Sequence, residues 1–168
     1  MRFVTMATTL LFLGARPLAA QGEPPAWAGR WVGTLVNLPS RPNAPVVSVT
    51  VELGAWPTAD QQCVPWKTTY SERDTVRGVK DYRFCRGTGA NDLYVDEGGG
   101  VRLAAQLLGD VLVSAFKTGN TLLTTHLRVR GDTLMEEIYS ITDQPATNGL
   151  VTMTARNLQR LTLTRVRP

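Results

Sequence analysis

The stretch GDVLVSAFKTGNTLLTTHLRVRGDTL, residues 109–134, decides the fold. In it a glycine followed by Asp or Asn occurs three times, at Gly109-Asp110, Gly119-Asn120 and Gly131-Asp132. Glycine takes positive φ without a Cβ penalty, and Asp and Asn tolerate the neighbouring turn positions. Each pair therefore reads as a tight hairpin loop. The runs beside them, VRLAAQLL, VLVSAF, TLLTTHLRV and TLMEEIYSIT, become four successive strands of a β-meander.

The same grammar extends in both directions. In VVSVTVEL, Val47, Val49, Val51 and Leu53 share one face and Ser48, Thr50 and Glu52 the other, the period of a half-buried strand. GRWVGTLVNL alternates similarly. VPWKTTY puts Val64, Trp66, Thr68 and Tyr70 on one side, and RGVKDYRFCR and NDLYVDEGGG follow as further strands. LVTMTARNL and QRLTLTRV are either one bent strand or two joined at Asn157. No helical period competes. The expected fold is all-β, an antiparallel up-and-down meander of about 8–10 strands. Closing it into a barrel removes the exposed edges, and a two-layer sandwich is the second architecture.

Residues 1–20 read as a signal peptide. Arg2 begins them, FVTMATTLLFLG is too short to span a bilayer comfortably, and ARPLAAQ offers small residues for cleavage near Ala20. Residues 21–28, with Pro24 and Pro25, read as a flexible leader, and 29–168 as a single barrel domain. Of the 168 residues 43% are hydrophobic, enough for one core. Loss of Arg2 and Arg16 with the signal lowers the formal charge from +4 to +2, too weak and too scattered for nucleic acid. The strands carry charges on or beside their apolar faces and no aromatic girdles, so no membrane span is expected in the mature chain. Cys63 and Cys85 are the two cysteines, and in an exported chain they are expected to form a structural disulfide. The location expected is the periplasm or the extracellular medium. Arg130-Gly131-Asp132 is explained as one of the hairpin turns, without a receptor.

Gly29-Arg30-Trp31 opens the first strand just after the leader, and this Gly-x-Trp resembles the lipocalins and the wider calycin-type barrels. The resemblance implies that Trp31 packs across the closed end of a barrel. It also implies that a basic residue of the last strand, Arg160 or preferably Arg165, lies over the ring. ITDQPATNG supplies a loop where lipocalins commonly place a helix, which brings the chain nearer to small lipocalin-like bacterial exported domains.

The chemistry-bearing residues are few. His126, the only histidine, shares a side with Thr124 and Arg128 and points outward if Leu123, Leu127 and Val129 line the core, which disfavours a haem-binding barrel of the nitrobindin type. No metal-ligand spacing appears and no cofactor is expected. Glu136 and Glu137 must face opposite sides of their strand, and Glu136 shares its side with Leu134 and Ile138. An inward carboxyl has a raised pKa and suits a general base, or it sits near the mouth or pairs with an arginine. Trp56, Trp66, Tyr70, Tyr82 and Phe84 cluster around the cysteines and either line a cup or fill the core. The leading expectation is a small apolar ligand held by Trp66, Tyr82, Phe84 and Glu136. Its rivals are a filled-core interaction domain and an enzyme using Glu136 with an arginine. No catalytic residue is assigned.

Overall fold

Ten antiparallel strands follow one another around a closed barrel in the computed structural model, which describes residues 26–89 and 91–167. They are β1 (Gly29–Leu38), β2 (Val47–Leu53), β3 (Cys63–Glu72), β4 (Thr75–Arg86), β5 (Leu93–Gly98), β6 (Val101–Leu108), β7 (Val111–Thr118), β8 (Thr121–Arg130), β9 (Thr133–Asp143) and β10 (Met153–Arg165). Each pairs with the next in sequence, and β1 closes the ring on β10. The architecture is the up-and-down meander barrel, not the sandwich.

The glycines of the opening stretch do what a two-residue hairpin loop requires. Gly109, Gly119 and Gly131 have φ of 64°, 57° and 56°, and a β-carbon in that region would be strained. The segment 153–165 is one strand, bent by a register shift between Ala155 and Asn157. The turn between β3 and β4 uses no glycine: Arg73 and Asp74 both take positive φ, 48° and 63°.

Alternation along the strands sends one face into the barrel. Val49, Val51, Leu53, Leu112, Leu127, Leu134, Leu161 and Leu163 are buried there with Trp31. β1 and β10 approach closely at Gly33, whose hypothetical Cβ would lie 2.1 Å from the Thr162 carbonyl oxygen. Only glycine fits a backbone contact of that kind.

The expected signal segment 1–20 and residues 21–25 of the leader lie outside the described residues. Residues 26–28 do not behave as a free leader. The Trp27 side chain is 1% exposed, the Trp27 carbonyl accepts the Trp31 indole N–H at 2.9 Å, and the Ala26 and Ala28 carbonyls accept from Arg165.

Candidate functional site

The two ends of the barrel differ. One end is plugged. Trp27 stands 4.7 Å from both Trp56 and Phe84 and 5.7 Å from Trp66, centroid to centroid, in tilted and edge-on arrangements. Trp56, from the β2–β3 connection, and Trp66, from β3, also meet the edge of Phe84 of β4. Such edge contacts are the favoured packing of aromatic quadrupoles. Beside this plug Trp31 is fully buried, and the Arg165 guanidinium lies over its ring at 4.0 Å. Cys63 and Cys85 face each other in register on β3 and β4 and are joined, with Cα atoms 4.1 Å apart.

Above the plug the interior is a cup of about 240 Å³. Its walls are mainly apolar, with Leu103, Leu112, Phe116, Leu123, Leu127 and Ile138 among the lining residues. Three polar side chains that line it are buried: Thr68, Ser114 and Glu136. Tyr70, Lys80, Tyr82 and Glu97 line it too, and Lys80 is on the exposed stretch of β4. The wall beside them is incompletely zipped. β4 meets β5 only from Arg83 to Arg86, against Leu93 to Asp96. β6 meets β7 only from Ala105 to Leu108, against Val111 to Ser114. The β5–β6 hairpin therefore stands between two partly unpaired neighbours.

Glu136 is the one charged side chain in the buried class among the described residues, 8% exposed. Its neighbours across the ladder are Leu127 of β8 and Leu161 of β10, both buried and apolar. No hydrogen bond from a described side chain reaches its carboxyl group and no ion pair forms with Lys80 within 4 Å. Burial raises its pKa to about 7, with the Lys80 charge pulling the other way. The Tyr70 phenol is pushed up, first by burial and then by the negative charge of Glu136. Tyr82 is pushed up as well, by burial and by the neighbouring Glu97.

Of the four residues expected to hold a ligand, Trp66, Tyr82 and Glu136 line the cup. Phe84 does not. It is fully buried in the plug, because its position along the barrel axis, not its inward direction, decides what it touches. Trp27 belongs to that plug and was hidden in the sequence by its place between Pro25 and Gly29. Tyr70 and Lys80 join the cup, and both were accessible to reading: Tyr70 shares a face with Trp66, and Lys80 with Tyr82. His126 is on the outer face, paired with Glu137 across the ladder and 5.7 Å from the Tyr139 ring. Glu137, its outward neighbour, binds Arg160 at 2.7 Å. Among the described residues no three His, Cys, Asp or Glu side chains gather as a metal site.

Fold and site together define a closed antiparallel barrel with one plugged end and a blind, apolar cup holding a buried carboxyl. Comparison of the chain with protein-family models, curated proteins and solved structures finds no match.

Proposed function

We propose that this is an exported, lipocalin-like binding protein that holds a small, mainly apolar molecule inside its barrel. The observation that carries the reading is the 240 Å³ cup, apolar-walled and open at one end, above a floor sealed by aromatic residues. Ligand sites are concave and mostly apolar with few polar groups, and those for drug-sized molecules begin at roughly 300 Å³. The cup is smaller than that range, which favours a compact ligand over a long lipid. Export is supported by the Cys63–Cys85 bridge, since disulfides persist in oxidising compartments. The lipocalin likeness is supported by the Trp31–Arg165 stack at the closed end, while ten strands exceed the lipocalin number of about eight. Binding is favoured over catalysis because the only histidine faces away from the cup.

The test is native mass spectrometry of protein purified from its own periplasm or culture medium. A stoichiometric adduct of small mass, lost when Leu112 and Leu127 are replaced by Trp to fill the cup, supports the reading. Bare protein from every preparation, with no small apolar probe bound, overturns it.

A further inference from the structure

Which molecule a cup takes depends on what its polar atoms still lack. Of the three buried polar side chains in the cup, Ser114 and Glu136 present acceptors, and the Thr68 hydroxyl can either donate or accept. The Ser114 hydroxyl donates its hydrogen to the Ala104 carbonyl oxygen at 2.7 Å, which leaves oxygen lone pairs for anything else that approaches. Glu136 offers carboxyl oxygens and has no donor partner among the described side chains, although it is 8% exposed and set among leucines. Burying such a group without a partner is costly, and the cost is offset when a ligand supplies donors. An ammonium group has three donors and no acceptor, the complement of this set. Trp66 and Tyr82 line the same cup, and aromatic faces attract a cation, while the Tyr70 ring already has the Lys80 ammonium over it at 5.9 Å.

We propose that the cup takes a small primary amine, its ammonium end seated against Glu136 and its compact apolar body lying along the leucine-lined wall toward the mouth. The assignment rests on the ligand-binding reading above and names its ligand class. The other titratable groups facing the space are Tyr70 on β3, Lys80 and Tyr82 on β4 and Glu97 on β5, while the neighbours of Glu136 on β8 and β10 are apolar. Lys80, on the outer part of the cup, disfavours a second positive charge on the ligand. A ligand with one cationic end therefore enters with that end first. An anion meets the charge of Glu136, and a neutral acceptor is held only while Glu136 keeps its proton.

The experiment compares three probes of one shape, cyclohexylmethylamine, cyclohexylmethanol and cyclohexanecarboxylate, by titration calorimetry on the disulfide-intact protein. The amine is expected to bind at least about tenfold more tightly than the alcohol, the usual scale for a desolvated charge pair. Its affinity should rise from about pH 5.5 to about pH 8, as the carboxyl ionises while the amine stays charged. Glu136→Gln should abolish both the preference and the pH dependence, with an unchanged β-sheet circular dichroism spectrum showing that it folds. Equal binding of alcohol and amine, or a preference that survives Glu136→Gln, overturns the amine assignment and leaves the binding reading in place. Failure of all three probes overturns both.

Discussion

The Arg165 guanidinium lies over the Trp31 ring at the closed end of the barrel, 4.0 Å from its centroid, and donates to the Ala28 carbonyl at 2.5 Å. One side chain of the last strand thus covers the first strand's indole and ties down the segment before it. Trp31 pairs directly with Arg165 across the β1–β10 seam, so the stack lies where the meander closes on itself. Trp31→Ala should destabilise by about 3–5 kcal/mol, the cost of emptying a large core site. Arg165→Met, which keeps the stem and loses the cation and its donors, should cost about 1–2 kcal/mol. Urea unfolding monitored by circular dichroism measures both, and a neutral Trp31→Ala removes the seam from the account of stability.

Trp27 gives a second test of the same end. If residues 26–28 were only a tether, Trp27→Ala would leave the melting temperature unchanged. Its contacts with Trp56, Trp66 and Phe84 predict a loss of about 3 kcal/mol or more, as for other large-to-small core replacements. The near-ultraviolet circular dichroism of the indole cluster should weaken in the same variant.

The bridge between Cys63 and Cys85 spans a sequence separation of 22. In the chain-entropy description a loop of that size stabilises by roughly 3 kcal/mol. Reduction should lower the melting temperature by about 10 °C for a domain of this size. Differential scanning calorimetry with and without reductant reads it directly, and identical curves would rule out a stabilising role for the bridge.

Glu136 makes stability depend on pH. Its proton is held more tightly in the folded protein, with a pKa near 7, than in the unfolded chain, near 4.5. Stability from this group is therefore complete below about pH 4.5, declines as pH rises, and is lost above about pH 7. The whole change is about 3 kcal/mol, since one pKa unit corresponds to about 1.4 kcal/mol. Glu136→Gln should flatten that decline, so the difference between the two proteins' unfolding free energies should grow from pH 4.5 to pH 7. A difference that stays constant with pH shows that the carboxyl is hydrated in the folded state.

Much of this is legible in the sequence. Period-2 alternation marked the strands, and Gly-Asp and Gly-Asn pairs marked three of the hairpins. Parity along β9 separated Glu136 from Glu137: one is buried in the cup and the other binds Arg160 outside. What alternation does not carry is depth along the barrel axis, which depends on how strands are staggered around the ring. That is why Phe84 and Tyr82, two residues apart on one strand face, end in the plug and in the cup. Trp27 had no period to betray it, lying outside any strand. The turn at Arg73-Asp74 was silent for a different reason, because it takes positive φ without glycine.

The closed end gathers more than aromatic rings. Ala26 is held there by Arg165, and Val166 donates to the Arg30 carbonyl oxygen at 2.8 Å. Both extremities of the described chain thus emerge at the base, opposite the mouth. A linker, an affinity tag or a bead attached through either extremity will orient the molecule like a goblet on its foot, with the bowl turned toward the solution.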